Sequence, residues 1–502
     1  MTTPFRLAAL EGINLPLVAT GLAVIAATVV ITQYGKRIRP NEPPLLPGGL
    51  PIFGHALAFG KNPSKLFEAA SKWSTDSQPI SVSLLGNRVY IILKSQDRQA
   101  AWKEKAVNFD EIMEWGAKTI YGLTEDAVRK MHLEDSTNTG SIYASAHTFY
   151  RDNMAPGEKL NLMTTSFLHW MDKDIQDVTR QLEAAPGGEM KVNLADWVRL
   201  RLGIPSTNAF LDPEVLQLDS NVLDRLVKMD TDFLLLSSGL PKWIHKDAHG
   251  NVSKMVEAIE NGYRRDSTAL HFMTSRMDQM AERDISWRDQ AAATFAVWQA
   301  LQANAIPTAF WVIYGLLYYP EDRRRFEEEI APAFDKSNRI VNLDHLVKNS
   351  PFLSSIFWES MRYSAGSVSV RKLTDNVTIG GRTLYKDAMM MLPTRPPHFL
   401  PEVFGDDCNE WVADRFVRDG TVPGKKNPGI RAVVPFGGGY TLCPGRHFAT
   451  NEIISFVATI FRNFDITFCD PSHREVRPKT EWPTLTGLPP DGDVFVKVRL
   501  RK

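Results

Sequence analysis

The chain has 502 residues, and its 58 Lys and Arg residues balance its 58 Asp and Glu residues. A neutral chain of this size lacks the positive surplus that nucleic-acid binding needs. Apolar residues make up 43% and charged residues 23%, which excludes a disordered tail, a collagen-like fibre and a multi-span transporter. Three cysteines make a disulfide scaffold improbable and favour a reducing compartment.

The N-terminal region carries an uncharged apolar run at residues 15–32, after a short flank at residues 1–14. Eighteen residues at helical rise span about 27 Å, which suffices for the hydrocarbon core of a bilayer. The basic residues Lys36, Arg37 and Arg39 follow the run and favour a cytosolic position for what comes after it. A cleaved secretory signal is the alternative, but its apolar run is usually shorter and its charges precede it. We therefore predict an uncleaved transmembrane anchor.

A basic and proline-rich hinge is predicted at residues 33–60, followed by one folded body at residues 61–502. Five prolines between residues 40 and 51 exclude a helix and stiffen the backbone. The apolar side chains of Leu50, Ile52 and Phe53 suggest that the hinge docks onto the body. A plain linker is the alternative.

The body reads as mainly α with small β-sheets, an α+β fold with few strands. Most of residues 60–330 show helical patterning. A strand pair is expected at residues 80–93 with its turn at Gly86 and Asn87, and weaker strand signals surround residues 377–392.

One long helix is strongly marked. Ser286, with Asp289 three residues later, resembles a capping box, and Pro320 ends the apolar run that follows. The run is nearly uncharged, which predicts burial on all sides. Pro307 lies in its middle and removes a backbone hydrogen bond. Its kink serves either packing alone or a ligand that needs room.

The most informative segment is the loop PFGGGYTLCPGRHFA at residues 435–449. Consecutive glycines allow the backbone to approach a flat ligand closely. Cys443 precedes a predicted helix whose dipole and free N–H groups would stabilise a thiolate. No second Cys or His stands at zinc spacing, so a tetrahedral zinc site is excluded. A lone cysteine is more commonly an inert buried residue.

The pattern F-x-x-G-x-x-x-C-x-G in this loop resembles the haem-thiolate loop of the cytochrome P450 superfamily. The resemblance implies the triangular, mainly helical fold of that superfamily and a haem b cofactor with Cys443 as its iron ligand. A thiolate ligand donates electron density to the iron and favours O–O bond cleavage. The loop residues that the resemblance assigns to the cofactor are Phe436, Gly437, Gly439, Cys443 and Gly445.

Two further elements match the superfamily in order and distance. Glu359 and Arg362 form an E-x-x-R pair on a predicted helix, and Arg415 matches the arginine that joins this pair in a buried structural triad. Arg371 matches the position where an arginine pairs with a haem propionate. A solvated strand arginine is the alternative for Arg371.

The chain also departs from the superfamily. Thr441 stands where an arginine or histidine commonly contacts a propionate, which implies that one such contact is missing. Ile306 and Pro307 replace the acid and alcohol that usually relay protons to bound dioxygen. Asn304, Thr308 or ordered water would then supply the protons, and Asn304 and Thr308 are the catalytic candidates.

The stretch Q-A-N-x-x-P around Asn304 is similar to the branch that holds the bile-acid sterol hydroxylases and prostacyclin synthase. The resemblance implies a monooxygenase that oxidises a bulky hydrophobic substrate such as a sterol, a terpenoid or another polycyclic natural product. Pocket walls are expected at residues 300–308 and 365–370. An isomerase or dehydratase of a lipid peroxide, and a non-catalytic membrane-tethered haem or lipid carrier, are the alternatives.

The implied partners are an NADPH–cytochrome reductase, the hydrophobic substrate and membrane lipid. The implied location is the endoplasmic reticulum membrane, with one span and the catalytic domain in the cytosol. Residues 232–251 are apolar enough to dip into the bilayer surface, or they form an internal helix turn. A basic cluster near the cysteine loop would steer an acidic flavin domain, unless it is only a solvated loop. The cluster comprises Lys425, Lys426, Arg431, Arg446 and His447.

Overall fold

The computed structural model describes residues 20–21, 23–24, 38–74, 77–134, 140–263, 271–419, 421, 424–473 and 475–501. Helices dominate this part of the chain. In chain order they are α1 (Ala56–Lys61), α2 (Pro63–Trp73), α3 (Ser95–Lys103), α4 (Asp110–Thr119), α5 (Glu125–Met131), α6 (Ile142–Met154), α7 (Glu158–Ala184), α8 (Leu194–Phe210), α9 (Pro213–Leu218), α10 (Val222–Leu236), α11 (Lys246–Gly262), α12 (His271–Ala281), α13 (Trp287–Tyr318), α14 (Pro320–Ile330), α15 (Leu343–Lys348), α16 (Pro351–Tyr363), α17 (Pro401–Phe404) and α18 (Arg446–Asn463).

Among the described residues, the strands form three small sheets. They are β1 (Ile80–Leu84), β2 (Asn87–Ile91), β3 (Val107–Asn108), β4 (Glu189–Asn193), β5 (Val368–Leu373), β6 (Val377–Ile379), β7 (Arg382–Leu384), β8 (Met389–Pro393), β9 (Phe464–Phe468) and β10 (Phe495–Leu500). The largest sheet has the order β1-β2-β8-β5-β3, the second β4-β10-β9, and β6 pairs with β7. The predicted fold class, mainly α with small sheets, is confirmed.

The first strand pair forms as predicted, but its turn is shifted by one residue. Leu85 and Gly86 occupy the turn with φ of 50° and 85°, and Asn87 already belongs to β2. A positive φ is unfavourable for leucine. The register that pairs Leu84 with Asn87 nevertheless places Val82 and Val89 opposite each other, both fully buried. Packing of this apolar face therefore overrides the local turn preference.

The hinge docks on the body through residues other than those expected. Leu46 is buried, and its N–H donates to the Ser81 carbonyl at 2.8 Å. Glu42 is also buried and accepts a hydrogen bond from the Tyr90 hydroxyl at 2.8 Å. Leu50 and Phe53 are 49% and 43% exposed, so the expectation that they dock was wrong.

The long helix α13 begins and ends as the sequence indicates. The Ser286 Oγ accepts from the Asp289 N–H at 3.1 Å, and Tyr319 caps the C-terminus directly before Pro320. The prediction of burial on all sides was wrong, because Ala300 and Asn304 are exposed within the structure. Both line the main cavity described below.

The predicted anchor at residues 15–32 lies almost entirely outside the described residues and stays a prediction. Of the helices that the structure describes, Trp287–Tyr318 is the one long and apolar enough to cross a bilayer. However, 67% of the most apolar 18-residue stretch of this helix is buried inside the protein. It is the central core helix of this fold.

Candidate active site

A cavity of about 1660 Å³ lies between α13 and the cysteine loop. Single-ligand pockets typically measure about 300–1,000 Å³, so this cavity is large enough for a macrocycle and a substrate together. It contains both expected walls, with most of residues 300–308 on one side and all of residues 365–370 on another. Further walls that the sequence did not indicate come from residues 109–123, from α10 and from residues 485–487.

Cys443 lies on the cavity wall three residues before α18 begins. Its backbone N–H donates to the Phe436 carbonyl at 3.0 Å, which closes the loop behind the sulfur. Burial raises the pKa of the Cys443 thiol, while the N–H groups of Gly445 and Arg446 and the Arg446 charge oppose this effect. A buried sulfur surrounded by N–H donors is suited to bind a metal cation, since the cation compensates for the lost hydration of a thiolate.

The loop glycines have two different roles. Gly437 has φ of 72° with open space where a Cβ would be, and it lines the cavity. A Cβ on Gly438 would lie 2.4 Å from the Trp102 ring, and one on Gly439 2.4 Å from the Trp102 carbonyl. Gly438 and Gly439 therefore permit α3 to pack against the loop, whereas Gly437 alone leaves room for a flat ligand.

Arg371 is buried on β5 and lines the cavity. It donates to the Val370 carbonyl at 2.7 Å and to the Thr441 hydroxyl, and its guanidinium lies 4.6 Å from the Phe109 ring centre. Burial lowers the pKa of Arg371 to about 10. The alternative of a solvated arginine was wrong, and no acidic side chain among the described residues pairs with this charge.

These groups fit a haem. The thiol supplies a soft anionic ligand, Gly437 leaves space beside it, and the buried charge of Arg371 matches the carboxylate of a propionate. Phe436 and Gly445 line the same cavity, whereas Gly439 does not line it and packs against Trp102. The assignment of these residues to the cofactor stays a prediction.

On the opposite wall, α13 presents Asn304 and Thr308 to the cavity. The Thr308 hydroxyl donates to the Asn304 carbonyl at 2.8 Å. Pro307 has no N–H, so the Ala303 carbonyl loses its usual helical donor. Gly487 packs against this proline, since a Cβ on Gly487 would lie 3.0 Å from the Pro307 Cβ.

The predicted triad residues meet in the core. Glu359 receives two hydrogen bonds of 2.8 Å from Arg362 and one of 2.9 Å from the Arg415 Nε. All three side chains are fully buried. Arg415 also pairs with Asp407 at 2.7 Å.

The triad lies outside the cavity wall and anchors irregular backbone. Arg362 donates to the carbonyls of His398, Cys408 and Glu410 at 2.6–2.9 Å. Arg415 donates to three carbonyls in residues 404–410 at 2.8–3.0 Å. The two guanidinium groups therefore satisfy buried carbonyls between residues 398 and 410, a segment of short helical turns and irregular backbone.

Asp230 joins two cavity walls, and nothing in its sequence neighbourhood indicates this. Its carboxylate accepts hydrogen bonds from the Thr484 and Thr486 hydroxyls at 2.7 and 2.9 Å and from the Trp482 indole at 3.3 Å. Asp230 belongs to α10, whereas its three partners precede or belong to the wall at residues 485–487. These bonds fasten that wall to α10.

Glu452 is a second group that the sequence did not reveal. It lies on α18, faces the cavity region and is 1% exposed. Burial raises the pKa of Glu452 to about 8, against the weaker opposing effect of the Ser206 hydroxyl. The folded protein therefore holds this carboxyl neutral at pH 7.

This buried acid predicts a pH-dependent stability. Between the ordinary pKa of 4.5 and the folded value near 8, the unfolded chain releases a proton that the folded chain keeps. The contribution of this group to the free energy of unfolding is thus fully present below pH 4.5. Between pH 4.5 and pH 8 the free energy of unfolding falls by about 1.4 kcal/mol per pH unit. We expect Glu452→Gln to remove this loss, measured as the melting-temperature difference from wild type between pH 5 and 8.

The exposed Glu481 provides the control for this measurement. Glu481→Gln should follow the wild-type melting curve at every pH. Parallel curves for wild type and Glu452→Gln would show that the buried carboxyl does not titrate as inferred.

Comparison with known proteins supports one family. A cytochrome P450 family model matches residues 220–495, more than half of the chain. Cytochrome P450 7A1 of Sus scrofa is 25% identical, over 93% of this chain and 95% of its own length. Cholesterol 7-alpha-monooxygenase of Cricetulus griseus is 24% identical, over 96% and 98% of the two chains. Cytochrome P450 monooxygenase poxD of Penicillium oxalicum is 24% identical, over 90% and 93%.

These alignments span nearly the whole chain, and they agree with the helical fold, the cysteine loop and the large cavity between that loop and α13. The chain belongs to the cytochrome P450 family of monooxygenases, in a branch that resembles the sterol hydroxylases.

Proposed function

We propose that this enzyme is a membrane-anchored haem-thiolate monooxygenase that hydroxylates, or otherwise oxidises, a bulky hydrophobic substrate. The observation that carries the proposal is the cavity in which Cys443 and α13 face each other, with space for a macrocycle and a polycyclic lipid. Family membership implies a haem iron cofactor and electrons delivered by a reductase. NADPH is the proposed source of those electrons.

Each part of the site has a separate task. Cys443 would bind the iron, and Arg371 would neutralise a propionate. When bound, the haem supplies the activation of dioxygen that permits oxidation of an unactivated C–H bond. The chain itself orients the substrate against α13 and excludes water with apolar walls.

Ile306 and Pro307 carry no exchangeable side-chain proton. Other groups on α13 would therefore have to supply the protons that the reduction of dioxygen consumes. The Thr308 hydroxyl and the Asn304 amide both line the cavity. The Ala303 carbonyl, which Pro307 leaves without its helical donor, offers an acceptor for a bridging water. We propose that Asn304 and Thr308 hold the water that transfers protons.

This proposal predicts the effect of Thr308→Val, which keeps the side-chain shape and removes the hydroxyl. Loss of a proton-transfer group should lower the yield of product per NADPH consumed by about tenfold. The measurement compares product formed with NADPH oxidised. Thr294→Val, at another cavity-lining position of α13, is the control and should keep the wild-type ratio. An unchanged ratio in Thr308→Val would remove Thr308 from the relay.

The substrate class follows from the walls and from the relatives. Residues 365–370 and the α13 positions 300, 301 and 303 are apolar or small, which suits a sterol, a terpenoid or another polycyclic natural product. The Cricetulus griseus relative is named as a cholesterol 7-alpha-monooxygenase. The fungal relative is named only as a monooxygenase.

The cavity mouth supports a membrane-facing orientation. Leu57 and Leu240 line the cavity and are 56% and 39% exposed, and Trp243 beyond them is 77% exposed. Exposed apolar side chains around an opening favour contact with lipid. We propose that this rim meets the endoplasmic reticulum membrane. After the flank at residues 1–14, residues 15–32 would anchor the chain in that membrane. Residues 33–60 would then position the catalytic domain at residues 61–502.

The proposed reductase surface lies near the cysteine loop. Lys425, Lys426 and Arg431 are exposed, and none forms an ion pair with an acidic residue in the part of the chain that the structure describes. Free surface charges of one sign attract an acidic partner over a Debye length. An NADPH–cytochrome reductase with an acidic flavin domain fits this surface.

The proposed function is tested by reconstitution with that reductase and a panel of sterols and terpenoids. Substrate-dependent NADPH oxidation with an oxygenated product is the expected result. Rapid rearrangement of a lipid peroxide without reductase, and no turnover with it, would favour an isomerase instead. Ligand binding without turnover under either condition would indicate a carrier.

A further inference from the structure

One polar side chain of α13 lines the cavity next to three alanines. Gln299 lines the cavity between Ala296, Ala300 and Ala303, and it is 6% exposed. Because side chains four residues apart share a helix face, Gln299 lies about 6 Å along the helix from Ala303. It therefore lies on the same cavity wall as Asn304 and Thr308, although it belongs to no family motif in this sequence.

The orientation of the Gln299 amide is fixed by a residue distant in sequence. The Tyr121 hydroxyl donates to Gln299 Oε1 at 3.0 Å. The Tyr121 ring packs edge-on against Phe295, one turn before Gln299, with 5.8 Å between the ring centres. The tyrosine is therefore held on two sides, and its hydroxyl binds the oxygen of the amide.

This arrangement leaves the N–H side of the amide as the side that a ligand can satisfy. Within the described part of the chain, the bond from Tyr121 is the one side-chain hydrogen bond of Gln299. The Nε2 group of Gln299 thus has N–H donors without a protein acceptor. This donor group lies on a cavity-lining residue, so a ligand oxygen can accept its hydrogen bond.

We propose that Gln299 is a specificity-determining residue whose amide N–H donates to an oxygen acceptor on the substrate, and that Tyr121 is its positioning residue. The substrate is then a polycyclic apolar body that carries a carbonyl oxygen. A ketone fits better than a pure hydrocarbon, because its carbonyl oxygen can accept the hydrogen bond of the Gln299 amide N–H. This inference rests on the proposed function, and it adds the chemical group that the site recognises.

The test uses 5α-androstane, 5α-androstan-3-one and 5α-androstan-17-one as probes, because the two ketones place an oxygen at either end of one rigid skeleton. Equilibrium dialysis of the labelled probes with the full-length, haem-loaded protein gives their dissociation constants. We expect at least one ketone to bind about fivefold more tightly than the hydrocarbon, as one hydrogen bond provides. Gln299→Leu should reduce this advantage to less than about twofold.

Two further variants separate recognition from general damage. Gln302→Leu makes the same change at a fully buried position that does not line the cavity, and it should keep the full ketone advantage. Tyr121→Phe frees the amide to rotate, so its oxygen can also face the ligand. Relative to the matching ketone, the corresponding 3- or 17-alcohol should gain affinity in this variant, because its O–H can donate to the freed amide oxygen.

The outcomes are distinct. A wild-type protein without a ketone advantage, or a Gln299→Leu protein that keeps it, would overturn the inference about Gln299. The carbon monoxide spectrum of each reduced variant reports separately on the proposed function. A protein without a thiolate-type band would contradict the haem assignment while the dialysis result still decides the role of Gln299.

Discussion

Cys443→Ala should yield protein without a thiolate-type carbon monoxide spectrum. No other described residue offers a thiol to the cavity, because Cys408 and Cys469 do not line it. Alanine keeps the backbone bond from residue 443 to the Phe436 carbonyl, so the loop can still close. We expect haem content to fall to the level of non-specific binding, measured by absorbance of the purified protein.

Two controls define this result. Cys469→Ala removes a half-buried thiol elsewhere and should leave the spectrum unchanged. Cys443→Ser provides an oxygen in place of sulfur and should retain no thiolate-type band. An unchanged band in Cys443→Ala would assign the iron ligand to another residue and would refute the site described above.

Glu359→Ala should prevent accumulation of folded, haem-loaded protein. The variant leaves the guanidinium groups of Arg362 and Arg415 without their shared carboxylate in a fully buried environment. Removing one partner of a buried ion pair costs about 3–5 kcal/mol, which is a large part of the stability of a typical domain. The measurements are soluble yield and haem content per milligram of purified protein.

The matched control is Glu328→Ala, which breaks an exposed ion pair with Arg324 on α14. Exposed pairs contribute about 0–1 kcal/mol, so this variant should express and load normally. Normal yield and haem content in Glu359→Ala would show that the two buried arginines are stabilised by the backbone carbonyls alone.

The features that could be read from the sequence are those with local signals. Ser286 and Asp289 mark the start of α13, and Pro320 marks its end, because capping and proline chemistry act within one turn. The spacing around Cys443 was specific enough to indicate the family, since few loops combine glycines and a cysteine before a helix. The contact of Glu359 with Arg362 also follows from helical spacing.

The features that could not be read depend on contacts distant in sequence. Tyr121 and Gln299 are 178 positions apart, and their hydrogen bond exists only because α13 passes the segment that follows α4. Leu50 and Phe53 are apolar but exposed. Their apolar character alone does not indicate whether such side chains pack against the body or face outward. The turn at Leu85 depends on strand packing in the same way.

The hydrogen bonds of Asp230 mean that two cavity walls, α10 and residues 485–487, are not independent of each other. An alteration of α10 that displaces this carboxylate should also shift Thr484 and Thr486, which hold the cavity wall at residues 485–487. Changes in substrate range can therefore arise at a position that never touches the ligand, and redesign of either face must treat both faces as one unit.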